Sequence, residues 1–292
     1  MKQLNYLLFL LVCLVTSIPS FAQFTINGRS VIYDKVSDTY MVSIPENAFG
    51  TDYEASIALD ATAGWSNLSI EGTDIADNYT FKQVEGNKIY KIHAQEGDKE
   101  INTQLTFTFL PLLVMEGTFG YSYAQGNISL LSPEAAEPTN SFAKVKWRGG
   151  TTNTADKHKR NYKIKTLNEK GKKQEISLLG MREDNNWILD AGQIDLFRLR
   201  NRIATEIWND FATKPYYASK EPKAKSGVTG KVVEVILNNE YRGIYSLTEA
   251  MDRKELKLKK YDDKNQEFHG QLWKVSSWDK ATFWDIDKDY DN

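Results

Sequence analysis

The 292 residues carry 37 basic and 39 acidic side chains, which leaves a formal net charge of −2. So even a balance excludes a molecule-wide field for nucleic acid, and any basic surface has to be local. The single cysteine, Cys13, excludes a disulfide framework and a thiolate metal site, while the length suffices for a sizeable core split between two domains.

Met1 and Lys2 precede an apolar run over 4–18, broken only by Asn5, Tyr6, Thr16 and Ser17. Ser20 and Ala22 then place small residues at the −3 and −1 positions of a cut before Gln23. The run is shorter than the roughly 20 apolar residues of a membrane span. This predicts a cleaved secretory signal over 1–22, no transmembrane segment in the mature chain, and a secreted, periplasmic or cell-envelope location. Cys13 leaves with the signal.

From Phe24 onwards short apolar or alternating runs predict strands: YMVSI at 40–44, ASIALD at 55–60, IYKIHA at 89–94 and QLTFTFL at 104–110. Asn, Asp, Gly and Pro punctuate the gaps, so a small β-sandwich of immunoglobulin-like type over 23–118 is the simplest account. A spacer or interaction module is its expected role; a sugar-binding face using Trp65 and scattered tyrosines is the alternative. Residues 117–141 look like a connection that already contains a strand, NISLL at 127–131.

The stretch KVKWRGGTTNTADKHKRNYKIK, 144–165, holds nine basic side chains and one acid. At strand period Ala143, Val145 and Trp147 share one face while Lys144, Lys146 and Arg148 share the other. After the loop, Tyr162, Ile164 and Thr166 oppose Lys163 and Lys165 in the same way. Pairing the two strands around the loop at 149–161 builds a half-buried hairpin with a cationic face. Like charges on neighbouring strands repel, which suggests an anion between them; a solvated lysine face that discourages edge pairing is the plainer account. Gly149 and Gly150 would let a phosphate approach the backbone. No Walker or dinucleotide pattern is present, and an inward Trp147 offers nucleic-acid bases no stacking platform.

DLFRLRNRIATEIWNDF, 195–211, predicts a helix capped by Asp195, with Leu196, Leu199, Ile203, Ile207 and Phe211 on its buried stripe and Arg198, Arg202, Glu206 and Asp210 mostly outside it. An Arg202–Glu206 surface pair is expected from the four-residue spacing. KVVEVILNNEYRGIYSLTE, 231–249, predicts two strands joined at Asn238 and Asn239, the first apolar on both faces except for Glu234. Glu249 and Asp252 close the second, where a sheet delivers side chains to a cleft. GQLWKV at 270–275 predicts a further strand. Asp285, Asp287, Asp289 and Asp291 alternate like the start of a calcium loop but lack its glycine and final glutamate. The three histidines are scattered, and no G-x-S-x-G elbow occurs.

Taken in order, WRGG, YKIK, LLG, NWILD, LRNRIA, VEVILNNEYRGIYSLTE with Asp252 beyond it, and GQLWKV resemble the CotH kinase family, named for spore coat protein H, over about 126–292. The resemblance implies a secreted bacterial phosphotransferase that uses ATP and a divalent metal, Mg or Mn, to phosphorylate seryl groups of secreted or surface proteins. Lys163 and Lys165 match the family's K-I-K strand, and one of them would grip the nucleotide phosphates; alternation leaves both open. Arg148 matches the arginine of the RG turn, and Glu249 and Asp252 match LTE and the acid after it, near where the lobes of a kinase join. The family's catalytic and metal-binding acids lie further towards the C-terminus, so no catalytic residue is assigned, and the chain is expected to be a truncated, inactive N-terminal portion of the family domain. The expected fold is α+β: the immunoglobulin-like β-sandwich, then part of an atypical protein-kinase-like domain over 119–292. Expected partners are ATP and a protein substrate, not nucleic acid. A non-catalytic cell-surface binding or structural protein on the same fold is the alternative. Without the rest of the domain, the strands around Val232 and Ile244 would expose apolar surface.

Overall fold

The computed structural model describes residues 23–267 apart from Ala63 and Ala155, together with Leu272. The signal expected over 1–22, the strand expected over 270–275 (Leu272 aside) and the acidic residues at 285–291 lie outside the described residues. The chain divides into two compact units, Met1–Arg202 with Gly230–Glu249, and Ile203–Thr229 with Ala250–Asn292.

In the first unit, short strands come first: β1 (Phe24–Ile26), β2 (Arg29–Ser30), β3 (Ile32–Asp34), β4 (Thr39–Ser43), β5 (Tyr53–Leu59), β6 (Trp65–Ile70), β7 (Thr73–Asp74), β8 (Asn78–Phe81), β9 (Tyr90–Glu96) and β10 (Lys99–Thr108). They form two sheets, ordered β2-β1-β5-β8 and β3-β4-β10-β9-β6-β7. The four runs expected to be strands fall on β4, β5, β9 and β10. Alternation sends Phe24, Ile26, Ile57 and Phe81 from one sheet, and Val42, Ile70, Ile92 and Phe107 from the other, into a single core. Trp65 belongs to that core's edge: its ring stacks on Phe24 at 6.1 Å and meets Tyr40 edge-on at 5.8 Å.

Seven further strands follow: β11 (Leu112–Glu116), β12 (Ala124–Leu131), β13 (Thr139–Arg148), β14 (Asn161–Leu167), β15 (Asn186–Asp190), β16 (Gly230–Leu237) and β17 (Glu240–Glu249). They close into a barrel ordered β11-β12-β13-β14-β15-β17-β16. Closure comes from a parallel pairing of β11 with β16, in which Leu112 lies beside Glu234. Leu113, Met115, Val145, Ile164, Trp187, Val233, Val235 and Leu247 fill the interior. The β16–β17 turn falls at Asn238 and Asn239 as expected, with φ of +52° and +59°. Positive φ at both central residues matches the right-handed twist of the flanking strands, and asparagine tolerates it better than other side chains.

The outside of the barrel has two fates. Around β11 and β16 it is covered: Leu112, Val114, Leu131 and Ile236 pack with Ile32 and Met41 of the sandwich. The seam is fastened by Arg29, whose guanidinium donates to the carbonyls of Ser132 at 3.0 Å and Ala135 at 2.9 Å. The Asp34 carboxylate also accepts the Tyr241 N–H at 3.0 Å. Glu234 is buried on this covered side and accepts the Tyr241 hydroxyl at 3.0 Å.

Burial pushes the Glu234 carboxyl above its ordinary value, against the opposing hydrogen bonds from Tyr241 and Thr108. The folded state therefore holds this proton more tightly than the unfolded chain, so stability falls as the pH rises from the ordinary glutamate value through the raised one. Glu234→Gln, which keeps an acceptor for Tyr241, should be at least as stable as the wild type at pH 7.5 and should lack that step. Urea midpoints measured from pH 4 to 8 would show this; an unchanged step in the variant would assign it elsewhere.

The helix departs from expectation. Helix α1 spans Arg200–Phe211 and begins five residues later than Asp195, because Arg198 takes a left-handed φ of +62°. Asp195 still serves the N-terminus, accepting the Arg200 N–H at 2.8 Å. The expected stripe is not buried: Leu196 is 89% exposed, Ile203 51%, Ile207 54% and Phe211 65%, whereas Arg202 is 4% exposed. Arg202 is therefore not a surface residue. It lies against Gly230, where an added Cβ would come within 2.2 Å of its Nη1 and 2.6 Å of Thr248 Cγ2. A side chain there would displace the guanidinium. Exposed apolar surface, expected at Val232 and Ile244, is found at Ile244 and more extensively along this stripe.

In the second unit Trp208 Nε1 donates to the Ser226 carbonyl at 3.0 Å and Tyr217 donates to that of Leu256 at 2.7 Å. Among the described residues no helix is long and apolar enough to cross a membrane.

Candidate functional site

The expected hairpin is β13 and β14. Lys144 pairs with Lys165, Lys146 with Lys163, and Arg148 with Asn161. Ala143, Val145, Tyr162 and Ile164 are buried in the barrel, while Lys144 and Arg148 are exposed and Lys146, Lys163 and Lys165 are half-buried. Directly opposed Cβ atoms stand about 5 Å apart. Four ammonium-bearing side chains thus share one block of the outer surface.

The loop between the strands is built to hold its ends together. Asn153 is fully buried; its amide donates to the Arg148 carbonyl at 2.6 Å, and its side-chain oxygen accepts the Asn161 N–H at 3.2 Å. Asn161 in turn accepts the Ala191 N–H at 2.7 Å, which ties the loop to the segment after β15. Gly149 has φ +104°, and a Cβ on it would lie 2.1 Å from Thr152 Oγ1; a Cβ on Gly150 would meet nothing within 4 Å. Gly149 is thus a requirement of the turn itself, while the space outside Gly150 is open to a ligand. Gly149→Ala should lower stability by about 1–3 kcal/mol, read as a lower melting temperature.

The eight lysines and arginines of the stretch divide by task. Lys157 pairs with Asp156. Arg160 lies over the Trp147 ring, 4.7 Å from its centre, and donates to the Asn153 carbonyl at 2.7 Å. Lys159 turns back on β17, donating to the Ile244 carbonyl at 2.7 Å with its ammonium 4.2 Å from the centre of the Tyr245 ring. Burial, with a smaller contribution from the nearby Arg198 charge, lowers Lys159 to about 8. The strand lysines and Arg148 make up the cationic face.

One aromatic side chain joins that face unannounced by the sequence. Tyr123, just before β12, has the Lys165 ammonium 4.6 Å and the Lys146 ammonium 5.1 Å from its ring centre. Half-burial raises its hydroxyl above the ordinary tyrosine value. Expecting the strand to begin at 127 hid it. Extending the alternation back from Asn127 through Gln125 would have placed Tyr123 on the lysine side.

The remaining candidates lie elsewhere. Glu249 ends β17, 1% exposed and on the same side of the sheet as Leu247, opposite to the lysines; it accepts the Arg182 N–H at 2.9 Å. Asp252 belongs to the second unit, where its carboxylate accepts the N–H groups of Lys254 at 2.9 Å and Glu255 at 3.2 Å. The strand register thus brings Arg148, Lys163 and Lys165 together and gives Glu249 a place on the other side.

A block of cations suits the phosphates of a nucleotide, since charged hydrogen bonds to phosphate oxygens offset the mutual repulsion of the lysines. Among the described residues no group of three or more His, Cys, Asp or Glu side chains could hold a metal ion. Among the described residues the cationic face therefore fits the phosphates of ATP.

No curated protein matches the chain. The family described as CotH kinase protein matches residues 145–292, a little over half of the sequence. That span takes in the WRGG turn, both lysines of β14, helix α1, the β16–β17 pair and Asp252, and the chain belongs to the CotH kinase family.

Proposed function

We propose that the outer face of β13 and β14 binds the phosphates of ATP, as the nucleotide-binding element of an atypical kinase whose acceptors are seryl groups of secreted or surface proteins, with no catalytic residue assigned to it. The observation that carries this is the opposition of Lys144 to Lys165 and of Lys146 to Lys163 on one half-exposed surface. Membership of a family described as a kinase supports the use of ATP, and the acceptor class is carried by the resemblance alone. Phosphoryl transfer depends on positioning and charge neutralisation, and the lysines would contribute the second by spreading positive charge along the phosphate chain. Arg148, at the open side of the Gly149–Gly150 turn, would reach the same anion. Residues 1–22 would direct the chain to the envelope or beyond, and the sandwich would act as an attached module. Lys163 or Lys165 would be the principal phosphate ligand; Glu249 and Asp252 are carried in this proposal by the resemblance alone.

The test is calorimetric titration with ATP, ADP and AMP in the presence of Mg²⁺. Affinity should rise with the number of phosphates and weaken with salt, as ion pairing in water does. Saturable binding in which AMP equals ATP would move the site away from the lysines.

A further inference from the structure

We propose that Tyr123 is a positioning residue that holds Lys146 and Lys165 together as one clamp for a polyphosphate anion. The proposal rests on the phosphate-binding role of the lysine face and assigns that face an organiser outside the span matched by the family, which begins at residue 145.

Lys146 and Lys165 are not directly opposed; they are diagonal neighbours, because Lys146 faces Lys163 and Lys165 faces Lys144. Left alone, two flexible ammonium groups on adjacent strands would swing apart. Instead both stand over one ring, 5.1 Å and 4.6 Å from its centre. The negative face of an aromatic ring attracts a cation, more strongly where water is thin, and Tyr123 is half-buried. It therefore offsets a repulsion that would otherwise separate the two charges, and keeps their donors aimed at a shared volume.

The segment that carries the ring is held. The chain just before it is tied to β13 by the Trp147 N–H, which donates to the Gly120 carbonyl at 2.7 Å. Tyr121 reaches the Asn153 carbonyl at 2.9 Å and meets Trp147 edge-on at 5.1 Å. Tyr123 is thus delivered by a fastened segment, and the lysines settle on it. An anion with several adjacent oxygens fits two ammonium groups gathered in this way, whether it is the phosphate tail of a nucleotide or an inorganic polyphosphate.

The full chain would be prepared as wild type, Tyr123→Phe, Tyr123→Leu and Lys146→Ala. NMR of the assigned lysine ε-methylene protons should show ring shifts at Lys146 and Lys165 in the wild type and Tyr123→Phe but at neither in Tyr123→Leu, while Lys159 over Tyr245 and Lys88 over Tyr90 keep theirs throughout. ATP with Mg²⁺ and inorganic tripolyphosphate would each be titrated. The expected result is unchanged affinity in Tyr123→Phe and a loss of about fivefold or more in Tyr123→Leu and Lys146→Ala. Comparable tripolyphosphate binding would identify the phosphate chain as the recognised part, and much tighter ATP binding would show that the nucleoside adds contacts. Equal affinity in Tyr123→Leu and wild type, or absent ring shifts at Lys146 and Lys165 in the wild type, overturns the role of Tyr123 while leaving the phosphate site standing. No binding of either ligand by the wild type overturns the phosphate site, and the clamp with it. Should Tyr123→Leu fail to fold, Lys146→Ala and the wild-type ring shifts decide the matter.

Discussion

Replacing Lys163 and Lys165 together by alanine should lower the affinity for ATP by about two orders of magnitude, with each lost charge-assisted hydrogen bond costing about 1.5 kcal/mol or more. The fold should barely notice. Both side chains are half-exposed on the outside of the barrel while the interior is filled by Val145, Ile164 and their neighbours, and surface substitutions of this kind usually stay within about 0.5 kcal/mol. Removing two members of a block of four like charges also relieves repulsion. A large loss of affinity at nearly constant melting temperature would therefore be a ligand effect. The single variants then distinguish the two positions. If both fall equally, the phosphates straddle β14; if only one falls, that lysine is the principal ligand and its neighbour tunes the field. Retention of full affinity in the double variant would remove the phosphate site from this face.

Asn153→Ala should be the most damaging single change in the hairpin loop, lowering stability by about 2–4 kcal/mol. Its amide serves both ends of the loop, donating to Arg148 and accepting from Asn161. Truncation leaves these backbone groups without those partners, and each unsatisfied buried group costs about 1–3 kcal/mol. Asn153→Asp is the useful comparison. It can still accept from the Asn161 N–H but cannot donate to the Arg148 carbonyl, and it places a carboxylate where the native residue is fully buried, so it should be no better than alanine at neutral pH. Thermal melts would rank the variants, and faster exchange of the Asn161 amide would localise the damage. Slow exchange in Asn153→Ala would show that the loop closes by other means.

Much of the hairpin was legible because strand alternation is a local rule. Knowing only that Val145 and Ile164 are apolar fixes the direction of Lys146 and Lys163. The same counting places Glu249 with Leu247, but the proximity of LTE to a lobe junction drew attention to sequence position rather than to side. The stripe on α1 is a different case. Its spacing shows that the helix has an apolar side, yet a period cannot say whether that side is covered; it is Arg202 that is buried, against Gly230. Tyr123 was missed through a strand boundary, since its role depends on where β12 begins. Barrel closure was beyond reach for another reason. Parallel pairing of β11 with β16 joins residues more than a hundred positions apart, and neither strand carries a mark of the other.

That closure sets an order of events. When the chain emerges from the N-terminus, β11 can pair with β12 at once, whereas its second neighbour does not exist until β16 has been made. Contacts between distant segments form late, because the loop they close costs entropy before any bond repays it. The newborn barrel is therefore an open sheet with Val114 and Leu112 at an unfinished edge, and such edges recruit other chains. A chaperone that shields β11 during synthesis would act in the interval when protection is needed, and a slower supply of β16 would lengthen it.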